Sequence, residues 1–294
     1  MKALLSRDKL VPFLTEMSHK MEVVAPILAN GEKVFCTWTG QPLALDENPL
    51  NPPTEFLIPQ RETLFRYVQE SGRYTFEEEP QKSRLVLGIR PCDLRAVAVL
   101  DRIFGADPRD SRYLHRRRST LIVAMNCIRP KEGCLCAHLG SGPEAKDEYD
   151  LLMTEIRSGY LAESGSPAGI FMLSDHSEFF LKATEAQLEE KDQLMKEVEE
   201  QVKSHSDISL QKMRDTIKIV DWESLGRECL SCGGCTFICP VCHCFNIVDL
   251  GVPDGERVRC KDTCILSGFS RMTSGANPRG TQGERMHNRY LDKF

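Results

Sequence analysis

Short apolar runs alternate with amphipathic stretches over residues 1–176. The run Arg84-Leu-Val-Leu-Gly-Ile-Arg90 is brief, largely apolar and stopped by Pro91, the pattern of a buried strand. The period then changes. From Asp93 to Phe104, residues Leu94, Val97, Leu100, Ile103 and Phe104 share one helical face, with Asp93 placed to cap its start. Thr120-Leu-Ile-Val-Ala-Met125 reads as a second buried strand. Strand, helix and strand in this order predict a βαβ unit, with parallel strands and a right-handed crossover. Weaker strand patterns lie at Asp150 to Ile156 and at Gly169 to Leu173.

From Ser177 to Ser204 the pattern becomes that of a helix dense in Glu and Lys. Its charged positions form a solvated face, while Leu188, Leu194, Val198 and Val202 offer a stripe to dock on the first domain. Residues 205–222 read as a second helical segment. The expected organisation is an α/β domain over 1–176, a helical connector over 177–222 and a small cysteine-rich domain over 223–294.

A chain of 294 residues has room for about two ordinary domains. Its net charge of −5 lacks the basic footprint of a nucleic-acid binder. No apolar run approaches the roughly 18 residues of a membrane span. Arg7, Asp8, Lys9 and Glu16 interrupt any signal-peptide pattern, so a cytoplasmic location is expected. Thirteen cysteines then become informative, because clustered thiols in a reducing compartment bind metal or do redox work. Cys36, inside the apolar run Val34 to Trp38, is expected to be a small core residue.

The segment Cys229-Leu-Ser-Cys232-Gly-Gly-Cys235-Thr-Phe-Ile-Cys239-Pro240 has the spacing C-x2-C-x2-C-x3-C-P, by which bacterial ferredoxins hold [4Fe–4S] clusters. Thiolates three residues apart let one tight loop wrap several corners of a cube, and Gly233 and Gly234 let the backbone approach its sulfides. In two-cluster proteins the fourth cysteine of such a run serves the other cluster, so Cys239 need not share iron with its neighbours. A structural zinc site also uses C-x2-C pairs, but usually sets two pairs farther apart. The third region is therefore expected to be an α-rich, ferredoxin-like iron–sulfur domain. Cys242, Cys244 and Cys264 are further candidate ligands, and His243 is expected to be solvent-exposed or to stand behind the ligands.

Cys92 and Cys127 each follow one of the two predicted strands. Adjacent strands lie about 4.8 Å apart, so the two thiols meet at one sheet edge, where open α/β sheets place their ligands. Cys134 and Cys136 sit in the next loop and complete a candidate four-cysteine centre, for which iron–sulfur is favoured over zinc. Arg90 and Arg95 flank Cys92 and are placed to balance a negative cluster. No His stands beside Cys92 or Cys127 to activate a catalytic thiol. Two rival readings remain: a zinc-stabilised interaction module, and a catalytic reductase whose substrate binds at the N-terminal centre.

Four stretches together resemble a known family. They are Glu55-Phe-Leu-Ile-Pro-Gln60 with Glu62; Arg90-Pro-Cys-Asp-Leu-Arg-Ala96; Cys127 with Cys134-Leu-Cys136; and Cys229 through Cys244 with Arg259 and Cys264. The chain resembles the iron–sulfur β-subunits of cytoplasmic sulfhydrogenases, and is similar also to the A subunit of anaerobic sulfite reductase. The resemblance implies a subunit with several [4Fe–4S] clusters, passing electrons between a flavin subunit that handles NAD(P)H and a catalytic redox subunit. Family members carry a second C-x2-C-x2-C-x3-C-P run beyond a stretch like His287 to Phe294, whereas the last residue of this sequence is Phe294. Cys239, Cys264 or a partner subunit is then expected to complete the cluster on Cys229, Cys232 and Cys235.

Overall fold

The computed structural model describes the chain apart from residues 79, 81, 206, 207, 293 and 294. The chain divides into two compact units, Met1–Leu57 with Gln81–Asp207, and Ile58–Pro80 with Ile208–Phe294. The first unit is α/β. Its eight-stranded sheet runs, in spatial order, Phe180–Lys182, Lys2–Leu5, Gly159–Ser164, Leu151–Ile156, Thr120–Met125, Arg84–Ile89, Glu22–Ala29 and Glu32–Thr37. The four strands from Leu151–Ile156 to Glu22–Ala29 are mutually parallel.

The βαβ unit forms where the apolar pattern puts it. Arg84–Ile89 pairs with Thr120–Met125 in parallel, with Arg84 opposite Thr120, and the helix Pro91–Gly105 connects them together with a shorter helix, Ser111–Arg118. Leu85, Val86, Leu87 and Ile89 are buried, as are Leu94, Val97, Leu100 and Phe104 on the helix, whereas Ile103 is exposed. Gly88 interrupts the strand register with φ near +91°, and a Cβ there would stand 2.9 Å from Pro26 Cγ. Only glycine meets both conditions without strain.

Gly169 to Leu173, expected as a strand, lies instead in the helix Pro167–Asp175. Ser166 caps it by accepting the Gly169 N–H, and Pro167 occupies the first turn, where its missing N–H costs nothing. Met172 and Leu173 are buried while Ile170 and Phe171 face solvent, a helical period that a five-residue run cannot display.

The Glu- and Lys-rich segment also differs from its expected form. It opens with the edge strand Phe180–Lys182, and its helix is Glu185–Ser204, started by a Thr184–Gln187 capping box. Met195, Val198 and Val202 are buried, with Leu188 and Leu194 half-buried. Lys191 reaches Glu144 at 2.5 Å and Glu163 at 3.4 Å. The helix thus belongs to the first unit rather than to a separate connector. The later helices, Leu210–Ile219 and Trp222–Glu228, belong to the second. Of the segment read as 205–222, residues 206 and 207 lie outside those described.

The second unit is less purely helical than its sequence suggests. Beside its helices it holds a four-stranded antiparallel sheet in the order Phe245–Leu250, Gly255–Lys261, Arg61–Glu70, Arg73–Glu77. Two of those strands come from Ile58–Pro80, a stretch assigned to the first domain on sequence alone. Glu62 and Arg259 lie opposite each other in this sheet, and Arg259 Nε and Nη2 donate to Glu62 Oε2 at 2.9 and 2.6 Å. Both side chains are buried.

Candidate metal centres

In the first unit the candidate ligands stand at the carboxyl ends of the two predicted strands. Past Ile89, the Arg90 carbonyl accepts the N–H groups of Asp93 and Leu94 and so starts the helix, with Pro91 in its first turn. Asp93 falls inside that turn instead of capping it. Cys92 projects from the same turn, and the Asn48 amide approaches its sulfur at 3.8 Å. Past Met125, Asn126 locks the second strand end. It donates to Thr154 Oγ1, accepts from Ala145 N and, through its own N–H, bonds the Met153 carbonyl, each at 2.9 Å. Cys127 follows, its N–H bonded to the Pro143 carbonyl.

The loop after Cys127 folds back. Ser141 N–H bonds the Cys136 carbonyl at 2.8 Å, and Gly142 packs so closely that a Cβ would lie 3.1 Å from Pro91 Cβ and 3.5 Å from Cys136 Sγ. Cys134 Sγ accepts the Lys131 N–H at 3.2 Å. Cys92 comes within electrostatic reach of Cys127 and Cys136, and Cys134 within reach of Cys127 and Cys136. Crowding by protein, then Asp93, Cys127 and Cys136, push the Cys92 thiol up even though solvent touches it. Burial, with Cys134 and Cys127, pushes Cys136 up to about 11. Burial also raises Cys127, against the opposing charge of Arg90. Without metal these thiols keep their protons, and a bound cation would take the protons' place.

Arg90 is the principal counter-charge. Only 4% exposed, it donates from Nη1 to the Asn126 carbonyl at 2.9 Å and from Nη2 to the Leu45 carbonyl. Its charge faces Cys127 and Cys92, and its buried Nε has no hydrogen-bond partner among the described residues. A buried guanidinium N–H without an acceptor, beside a set of thiols, suits an anionic sulfur cluster. Arg95, the other flanking cation, is exposed.

In the second unit, Cys229 ends the helix Trp222–Glu228 and the chain enters a tight loop. Ser231 (φ +53°) and Gly233 (φ +73°) are both left-handed, which curls the backbone between Cys229 and Cys235. A Cβ on Gly233 would stand 3.0 Å from Phe237 and 3.2 Å from Thr263. Gln282 locks the loop, accepting from Ser231 Oγ at 2.6 Å and donating to Cys229 Sγ at 3.2 Å. Cys232 and Cys235 are exposed, Cys229 and Cys239 half-buried. An all-sulfur donor set on a loop with two left-handed residues fits a cubane cluster.

Farther on, the strands Phe245–Leu250 and Gly255–Lys261 form a hairpin with Phe245 opposite Lys261, and Asp262 N–H bonds the Cys244 carbonyl at 2.9 Å. The hairpin brings Cys244 to Cys264. Cys244 stands close to both Cys242 and Cys264, and this coupling holds those two thiols below their usual range and raises its own. Cys264 is buried, and His243 points to solvent. Among the described residues, no three His, Cys, Asp or Glu side chains are arranged around a single metal ion. Of the stretch His287 to Phe294, residues 293 and 294 lie outside those described.

Sequence reasoning did not identify Gln282 on Cys229, Asn48 near Cys92 or the burial of Arg90 and Arg259. None of these residues carries a local signal, since each is brought to its partner by tertiary packing.

Residues 228–294 match the family of 4Fe–4S dicluster domains. Sulfhydrogenase 2 subunit beta of Pyrococcus furiosus is 29% identical over 250 residues, which cover 82% of this chain and 72% of that protein. No helix among the described residues is long and apolar enough to cross a membrane. The likeness to that subunit and the dicluster domain agree with the cysteine content: the chain is a [4Fe–4S] protein whose C-terminal region matches a dicluster domain and whose sequence is similar to a sulfhydrogenase β-subunit.

Proposed function

We propose that the chain is the electron-relay subunit of a multisubunit oxidoreductase of the sulfhydrogenase type, standing between a flavin subunit that uses NAD(P)H and a catalytic redox subunit. One observation carries the reading: Cys92 and Cys127 follow the ends of two adjacent parallel strands, and Cys229, Cys232 and Cys235 lie on a loop with two left-handed residues. In this reading Cys92, Cys127, Cys134 and Cys136 hold one centre. Cys229, Cys232 and Cys235 hold another, with Cys239, Cys242, Cys244 and Cys264 as further thiolates of the module. The clusters supply one-electron chemistry at negative to mildly positive potentials.

The protein's own work is to hold and to tune. Arg90 sets a buried positive charge against the first centre. Gln282 donates to Cys229 Sγ in the second, and hydrogen bonds to cluster sulfurs favour the reduced state. Neither role needs a general acid, base or nucleophile. Cys232→Ser is expected to lose a cluster and, with it, electron flow through the assembled complex. Normal iron content with unchanged electron transfer in that variant would overturn the reading. Substrate turnover by the isolated chain would instead favour a catalytic reductase.

A further inference from the structure

Gln282 makes a contact with sulfur whose direction is not free to reverse. It begins the helix Gln282–Leu291, directly after the cap residue Thr281, and its Nε2 donates to Cys229 Sγ at 3.2 Å. Two glycines bring the pair together. Gly226, in the helix that Cys229 ends, lies so near Gly283 that a Cβ on it would stand 2.5 Å from the Gly283 nitrogen. Farther along, the same helix reaches the cysteine loop again, Arg289 donating to the Cys235 carbonyl at 2.6 Å.

The amide oxygen of Gln282 takes three donors. Ser231 Oγ reaches it at 2.6 Å, and Arg285 reaches it from Nη2 at 2.7 Å and from Nε at 3.1 Å. A guanidinium has donors only, so turning the amide over would set its NH2 against them. Arg285 is itself immobilised. It is 7% exposed, and it also donates from Nε to the Ile265 carbonyl and from Nη1 to the Arg279 and Gly280 carbonyls, all at 3.0 Å. Each of these acceptors is a neutral oxygen. A buried cation bonded in this way leaves its charge available to an anionic centre nearby.

We propose that Arg285, together with Ser231, is a positioning residue for the C-terminal cluster. By saturating the Gln282 oxygen it holds the Gln282 N–H on Cys229 Sγ, and so sets the potential of the cluster that Cys229 ligates. The inference deepens the relay function above and rests on Cys229 being a ligand of that cluster. A hydrogen bond to a ligand sulfur stabilises the more negative, reduced state, and a donor fixed in place does so more than one free to rotate.

The test is a redox titration of the full chain, prepared anaerobically and followed through the electron spin resonance that Cys232→Ser abolishes. Gln282→Leu should lower the reduced-to-oxidised ratio at fixed potential about tenfold, equal to about 59 mV for a one-electron couple. Arg285→Lys keeps the charge but lacks the fork, and should move the ratio the same way by at least about threefold. Added to Gln282→Leu it should change nothing further, because no donor remains to be positioned. A wild-type midpoint in folded Arg285→Lys, shifts that add in the double variant, or iron loss with no change of midpoint each overturn the proposal. If Arg285→Lys fails to fold by circular dichroism, Ser231→Ala must lower the midpoint, and an unmoved midpoint there overturns it equally. Wild-type iron and resonance in Cys229→Ser would instead overturn the ligand assignment beneath the inference.

Discussion

The buried ion pair between Glu62 and Arg259 should dominate the stability of the second unit, and Glu62→Gln is the perturbation that reveals it. The two side chains are only 5% and 8% exposed, and Arg259 Nη2 and Nε donate to Glu62 Oε2 at 2.6 and 2.9 Å. Arg259 also lies over the Phe245 ring at 5.4 Å. Neutralising one partner leaves the other charge buried without full compensation, which costs about 3–5 kcal/mol. With a urea slope of roughly 2 kcal/mol per molar, the midpoint should fall by about 1.5–2.5 M. The chain has two tryptophans, Trp38 in the first unit and Trp222 in the second. A Trp38→Phe background therefore lets Trp222 emission report the second unit in an anaerobic urea titration. The exposed pair Arg257–Asp249 in the same sheet is the internal control, and Asp249→Asn should leave the midpoint essentially in place. Replacing both partners, Glu62→Leu with Arg259→Met, should recover most of the loss, since paired apolar groups avoid the desolvation penalty. A midpoint shift below about 0.5 M for Glu62→Gln, or no recovery in the double variant, would refute the reasoning.

Two further outcomes follow from the first unit. Arg90→Gln removes the buried charge facing Cys92 and Cys127, so the N-terminal centre should become harder to reduce by at least about 60 mV, one tenfold step for a one-electron couple; an unchanged midpoint in a redox titration would count against the role given to Arg90. At Glu22, burial opposes ionisation, but the Thr37 hydroxyl (2.8 Å) and Arg84 (2.7 Å) more than offset it and hold the carboxyl below its ordinary value. Its stabilisation is therefore complete above the unfolded value of 4.5 and is lost as pH falls through the lower folded value. Glu22→Gln should flatten the acid limb of the stability curve below about pH 4.5, and an identical acid limb in the variant would contradict the assignment.

Much of the first unit is legible in the sequence because its central strands are buried on both faces and read as continuous apolar runs. Arg84–Ile89 and Thr120–Met125 announce themselves in that way, and the cysteines that follow them inherit their position from the strand ends. Gly169 to Leu173 misleads because a short apolar run looks alike in helix and strand. Its deciding signals, Ser166 as cap and Pro167 in the first turn, lie just upstream. The hairpin Glu22–Ala29/Glu32–Thr37 carries its signal in Asn30-Gly31, both residues adopting the positive φ that this dipeptide favours between antiparallel strands. The sheet of the second unit is another matter. Arg61–Glu70 pairs with Gly255–Lys261 across most of the chain, and Phe245–Leu250 is exposed along its whole length, so it shows no alternation to betray it. The C-x2-C-x2-C-x3-C-P run is visible from spacing alone. The approach of Cys244 to Cys264 needs the hairpin register, which no local pattern encodes.

The central claim is that thiolates in this chain hold iron–sulfur clusters able to change redox state. Electron spin resonance of the full chain, prepared anaerobically and reduced with dithionite, tests it most directly, alongside iron and sulfide analysis of the same sample. The account predicts brown protein with iron and sulfide in equal amounts and a signal that appears on reduction. Colourless protein carrying zinc, or no metal, and silent after reduction would contradict it.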